Sequence, residues 1–258
     1  MFEEAKFSVE ERDVFISGGI QLPKIKAIWR PDKNICLGLK TAKYDLVKHG
    51  DFLDQIMPVL EEKHLTDSSL HVCQNGGIMF CKFFSETNYK EEIKNGDIVR
   101  FGIEIFNSYN GVLRCGAMLI AERLVCSNGM IVSTAILNFS LKHIGNISVV
   151  NLKEKIAFLL NNIKISVTNY KRWSETVLPI EKVESFFNNY FGKKESKNLF
   201  DSYKGNKNYS TVWDLYNFIT AWLSHDIKTR GKNKKQNMRL LQWKKELPIT
   251  RGFIKEFN

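Results

Sequence analysis

A chain of 258 residues with 43% hydrophobic and 12% aromatic side chains can bury one large core, which excludes a disordered polypeptide. No apolar run approaches the ~18 residues of a membrane-spanning helix, and the acidic start MFEEAKFSVEERDVF lacks a signal-peptide layout, so a cytoplasmic protein without a membrane partner is expected. Net charge is +10, and the ten Lys/Arg against two acids between Lys228 and Asn258 account for +8 of it, which places the attraction for polyanions at the C-terminal end.

The five cysteines, at 36, 73, 81, 115 and 126, are odd in number and show no disulfide spacing, so they read as buried apolar thiols. A metal role through His71, Cys73 and Cys81 lacks any CxxC or second tight pair. No metal or cofactor is expected.

In chain order, residues 1–35 read as an irregular segment with short strands at Val14–Ile16 and Ile25–Trp29 about the turn Gly18-Gly19. Trp29 beside Arg30 either stacks on a base or covers a core edge. Ile35–Leu39 reads as a strand. Asp51 is placed to cap a helix carrying Phe52, Ile56, Val59 and Leu60, which Pro58 should bend or shorten. Ser69–Val72 and Ile78–Phe84 are strands around Gln74-Asn75-Gly76-Gly77, and Asn95-Gly96-Asp97 opens the next strand. Phe101, Ile103 and Ile105 alternate with Gly102, Glu104 and Phe106. Asn110-Gly111 then predicts a type I′ hairpin, with Leu113, Cys115, Ala117 and Leu119 on one face of the return strand and Arg114 on the other.

Past Ser133 the period becomes helical. Leu152, Ile156, Leu159, Ile163, Val167 and Tyr170 form one stripe. A second helix covers Pro179–Phe191 with Gly192 as its stop, and the polar stretch Lys193–Asn208 reads as a loop. Ser210-Thr211 caps a third helix, VWDLYNFITAWLSHDIK, and Met238–Leu247 is a short helix candidate in the basic run. The expected fold class is α+β: an antiparallel curved sheet over about 70–120 packed on helices near 52–62, 152–170, 179–191 and 211–227. Residues 1–227 form a single domain, sheet-rich over 35–133 and helical over 150–227, and 228–258 form a basic extension.

No GxSxG, P-loop, GxGxxG or HExxH is present. Adjacent acids such as Glu61-Glu62 and Glu91-Glu92 point different ways on a helix, so an enzyme is not expected. Nucleic-acid binding has more support. Arg100, Arg114 and Lys82, with Phe106 and Tyr109, are candidates for an exposed sheet face where cations track a backbone and rings meet bases. Arg123 and Lys142 extend that set, and Lys228, Arg230, Lys232, Lys234, Lys235 and Arg239 supply the tail. The alternative is that Phe106 faces the core, that the arginines solubilise the sheet and that Arg123 pairs with Glu122 or Glu104. Deleting residues 228–258 is expected to weaken nucleic-acid binding and spare a protein partner.

The runs Leu37-Gly38, Lys43-Tyr44 and Phe52-Leu53, then Asn107-Ser108-Tyr109-Asn110-Gly111, Arg123-Leu124-Val125-Cys126-Ser127-Asn128-Gly129-Met130 and Thr211 to Thr220, resemble the phage- and plasmid-associated proteins grouped as domain of unknown function 932. The resemblance covers about Ile35 to Asp226 and marks Asn107, Asn110, Gly111, Cys126, Asn128 and Gly129 as motif positions. Where the family pattern reads Asn-Ser-His-Asp-Gly, this chain has Tyr109-Asn110. The family's setting, and a weak similarity of layout to Rad52-type phage single-strand annealing proteins, imply an oligomeric single-stranded DNA-binding protein that assists annealing or recombination. The competing class is an interaction protein that binds and inhibits a host factor.

Overall fold

Two antiparallel sheets and a set of helices make up the molecule, for which a computed structural model describes residues 2–124, 138–141, 149–225 and 237–257. The first sheet has the order β1 (Glu10–Ile16), β2 (Ile20–Arg30), β3 (Ile35–Thr41). Gly18 and Gly19, at φ 90° and 74°, make the tight reversal that the sequence marked as a turn. The strands run well beyond the short apolar runs of the sequence. Backbone pairing continues through Glu10, Glu11, Lys26 and Lys40, while Ile28 and Leu37 are buried on one side with Val9 and Tyr109, so the ladder outruns the apolar positions that mark it in the sequence.

Helix α1 (His49–Glu62) starts two residues before Asp51, and Pro58 sits inside it without ending it. Val59 and Leu60 are buried one and two residues later, and that burial holds the last turn despite the missing amide.

The second sheet holds β4 (Asp67–Cys73), β5 (Ile78–Phe84), β6 (Lys90–Lys94), β7 (Asp97–Ser108), β8 (Cys115–Arg123) and β9 (Asn138–Leu141). Its order is β4-β5-β7-β8-β9, with β6 on the end of β7. The architecture is therefore α+β and antiparallel, as the alternation predicts. One face, with Met79, Cys81, Phe83, Phe101, Ile103, Ile105, Ala117 and Leu119, is buried in the main core. That core also takes in α1, α2 (Val149–Asn161), α3 (Ile163–Glu175), α4 (Ile180–Tyr190) and α6 (Val212–His225). The helical stripe from Leu152 to Tyr170 is thus two helices, broken at Asn162.

Residues 193–204 are helix α5 (Lys193–Lys204), not a loop. Ser196, Leu199 and Tyr203 are buried on one side of it, a spacing of three and four that its polarity obscures. Gly192 is its N-cap residue rather than only the stop of α4.

The basic extension is also revised. Residues 238–257 are helix α7 (Met238–Phe257), which is built into the fold. Its first turns lay Leu240 and Trp243 on the second sheet face, against Ile78, Phe80, Phe106, Met118 and Ile120. Its end buries Phe253 completely, with ring centroids 4.9 Å from Tyr216, 5.0 Å from Trp173 and 5.4 Å from Phe186. Deleting 228–258 would open both cores rather than trim a tail. Among the described residues no helix is long and apolar enough to cross a membrane.

Candidate nucleic-acid interface

The Leu37-Gly38, Lys43-Tyr44 and Asn107–Gly111 runs converge on one buried node. The loop 109–114 joins β7 to β8. In it only Gly111 has positive φ, at 72°, so the turn is a six-residue connection and not the two-residue type I′ form. The Asn110 Oδ1 accepts from the Val112 amide at 3.0 Å, while Ser108 Oγ accepts from the Leu113 amide at 3.0 Å and donates to the Leu113 carbonyl at 2.7 Å. Gly38 lets β3 touch this loop, because a Cβ there would lie 2.8 Å from Asn110 Cα. Tyr44 donates to the Ser108 carbonyl at 3.1 Å.

His49, fully buried, completes the node. Its amide donates to the Tyr109 hydroxyl at 2.7 Å, and its ring stacks on Tyr109 at 4.0 Å. The Gly76 carbonyl, 3.0 Å from His49 Nε2, fixes the proton on that nitrogen; Nδ1 then accepts from Asn107 Nδ2 at 3.0 Å. Asn107 also donates to the Val47 carbonyl at 2.8 Å. Burial raises the Tyr109 hydroxyl above its ordinary pKa. Asn107, Tyr109, Asn110 and Gly111 are thus parts of a structural joint between α1, β3 and the sheet.

Three of the arginines expected to meet nucleic acid, Arg100, Arg123 and Arg239, are already committed. Arg100 pairs with Glu122 at 2.5 Å and Asp67 at 2.7 Å and lies over the Phe84 ring. Arg123 pairs with Asp97 at 2.5 Å, rather than with Glu122 or Glu104, and the other Asp97 oxygen accepts from Trp213 Nε1 at 2.8 Å. That carboxylate couples the end of β8 to α6, and its identity was not apparent from the sequence. Arg239 is 4% exposed and grips both oxygens of Glu104 while reaching Glu246 at 2.9 Å. Burial pushes the Glu246 carboxyl up, against the pull of Arg239.

Phe106 and Tyr109 are buried and Lys82 is half-buried, so no aromatic-and-cation sheet face is open there. Arg114 is exposed on the 109–114 loop. Lys142, Cys126, Asn128, Gly129, Lys228, Arg230, Lys232, Lys234 and Lys235 lie outside the described residues.

Rings and cations do meet elsewhere, in a cleft of about 700 Å³ walled by α5, α6 and α7. Thr211 Oγ1 accepts from the Asp214 amide at 3.2 Å and the Asp214 carboxylate accepts from the Thr211 amide at 3.0 Å, a reciprocal cap that starts α6. Burial opposes the Asp214 charge, but the Ser210 and Thr211 donors and Lys94 outweigh it and hold the carboxyl below its usual range.

From that start, α6 presents Phe218 and Trp222 to the cleft at a helical spacing of four, beside Tyr209. Leu199 closes the floor from α5, and Lys194 and Lys245 stand at the rim. Lys245 Nζ lies 4.7 Å from the Trp222 ring centroid and 3.0 Å from Glu195. Lys193, Lys194, Lys197, Lys204 and Lys207 are all exposed along α5 and the turn after it. Among the described residues no group of three His, Cys, Asp or Glu is placed to hold a metal ion.

The family described as Domain of unknown function (DUF932) matches residues 36–243. The chain belongs to that family. The matched span runs from β3 to the first turns of α7, so it includes the buried node, the Arg123–Asp97–Trp213 link and most of the cleft. The strands β1 and β2 precede it, and Phe253 follows it. No curated protein and no solved structure matches the chain.

Proposed function

We propose that this DUF932 protein binds single-stranded DNA through the α5–α6–α7 cleft, as an annealing or recombination accessory of a phage or mobile element working in the host cytoplasm or nucleoid. The observation that carries the reading is the lysine-rimmed aromatic cleft. Tyr209, Phe218 and Trp222 line one opening, with Lys194 and Lys245 at its edge. Every base has a flat face, so rings of this kind take bases without regard to sequence, while lysines along the rim follow the phosphates. In the sequence, Lys228, Arg230, Lys232, Lys234 and Lys235 fall between α6 and α7. No bond-making step is assigned to the cleft; its chemistry is stacking and charge neutralisation.

Fluorescence anisotropy with labelled single- and double-stranded oligonucleotides tests this. With about six phosphates neutralised, affinity for the single strand should fall roughly three-hundredfold between ~50 and ~200 mM salt. Trp222→Ala should weaken binding at either salt. Absence of single-strand binding in dilute buffer, or binding that no cleft substitution affects, overturns the proposal.

A second reading, an interaction protein that inhibits a host factor, is favoured by one observation. Phe15, Ile16 and Ile20 are 59%, 48% and 61% exposed at the tip of the β1–β2 hairpin, an apolar surface suited to another protein. Its partner would bind with little salt dependence, and Phe15→Ser would weaken that binding while leaving the oligonucleotide assay unmoved.

A further inference from the structure

Strand β4 forms one border of the second sheet. It pairs with β5 through seven consecutive residues, from Asp67↔Phe84 to Cys73↔Ile78, without a bulge, and among the described residues no strand pairs with its other side. Exposed edges in native proteins are normally blunted by lysine, proline, bulges or brevity, because their free N–H and C=O groups template further pairing. The other borders carry such devices. β1 holds Glu10, Glu11, Arg12 and Asp13 and a register shift after Asp13; β6 is short, charged and shifted after Glu92. The sequence of β4, DSSLHVC, has no Lys, Arg, Pro or Gly.

We propose that β4 is a self-association edge, and that two copies of this chain pair antiparallel through it about a two-fold axis at Leu70, making one continuous sheet. The chain itself argues for this occupant. Centring on Leu70 pairs all seven residues, Asp67 with Cys73 and Ser69 with His71 across the axis; any other centre shortens the ladder. An axis through a residue, rather than between two, pairs residues of like parity, so each side chain stays on the sheet face it already occupies. Leu70 and Val72, half-buried against the main core, gain cover from the second copy. No like charges face one another, since each Asp67 stands opposite a cysteine. This pairing does not depend on the cleft or its ligand.

The test uses the full chain with the exposed Cys36 replaced by Ser. Light scattering over a concentration series should show a dimer. Residues directly opposite in such a ladder have Cβ atoms roughly 4.5–5.5 Å apart and diagonal neighbours about 7–8 Å, so disulfide formation reports register. Under mild oxidation Leu70→Cys should crosslink to itself. Ser69→Cys should not, but a mixture of Ser69→Cys with His71→Cys should, the linked peptides being identified by mass spectrometry. Leu70→Lys should give a monomer with an unchanged circular dichroism spectrum; should it misfold, the two exposed positions 69 and 71 still decide. A chain that is monomeric at every concentration, or a dimer that yields none of these crosslinks, overturns the proposal. Oligonucleotide binding by a monomer would leave the functional reading standing, and a crosslinked dimer that ignores DNA would do the reverse.

Discussion

The arginines on and against the large sheet and the lysines of α5 carry the same charge and have opposite fates. Arg100, Arg123 and Arg239 each meet carboxylates, at Asp67 and Glu122, at Asp97, and at Glu104 and Glu246. Lys193, Lys194, Lys197, Lys204 and Lys207 stand in solvent on one helix and its exit turn. A guanidinium fork fits a carboxylate in two places at once, so it is recruited where β-strands bring acids into register. These lysines have no such fixed acceptor among the described residues and keep their charge for something that arrives from outside. Counting cations along the chain treats both groups alike, whereas their neighbours in space separate those that hold the fold from those that can hold a polyanion.

The largest effect should come from the sheet side. Arg239→Met leaves Glu104 and Glu246 buried with their arginine gone, and unfolding in urea should show a loss of about 3–5 kcal/mol. Oligonucleotide affinity, measured where the variant is folded, should not change. The cleft should behave in the opposite way. Trp222→Ala is expected to lose about 1–3 kcal/mol of single-strand affinity, with a smaller change in stability because the ring is only half-buried. Lys194→Glu with Lys197→Glu should flatten the plot of log affinity against log salt by about 0.7 for each phosphate left unneutralised, a change that Arg100→Gln should not produce. If Arg100→Gln flattens that plot equally, the contrast between the two groups fails.

The smallest effect concerns the α6 cap. Thr211→Ala should cost about 1 kcal/mol, read from the shift in thermal midpoint. Asp214 adds a pH signature. Its carboxyl is held below the usual range, so near pH 4 the unfolded chain binds a proton that the native state refuses. Its contribution is complete above that range and is lost as pH falls through the depressed value. The midpoint difference between wild type and Asp214→Asn should therefore shrink on acidification below about pH 4.

Much of the fold was legible because apolar residues at spacings of two and of three to four are read by the same physics that buries them. Ile103 and Ile105 face the main core as their alternation requires, and Thr211 caps α6 as its position before the apolar run suggests. What escaped has physical reasons too. Helix α5 buries three residues under a coat of lysines, so composition pointed to a loop. The Asn110-Gly111 dipeptide marked the hairpin correctly, but Gly38 and Ser108 decide the shape of the turn from outside it. The cleft was hidden because its rings come from α6 and the residue Tyr209 before it, while its cations come from α5 and α7, which no local pattern joins. Asp97, the acceptor for both Arg123 and Trp213, sits at the head of a strand where an acid looks like part of a turn.

The placement of α7 has a consequence for how the protein is made. Leu240 and Phe253 seal two separate cores whose other walls, from Phe80 to Tyr216, have all been synthesised earlier. A nascent chain leaving the ribosome must carry both apolar surfaces without this cover until the twenty-residue helix α7 emerges. Premature termination anywhere before Phe253 should therefore yield a chaperone client or a protease substrate rather than a shortened working protein.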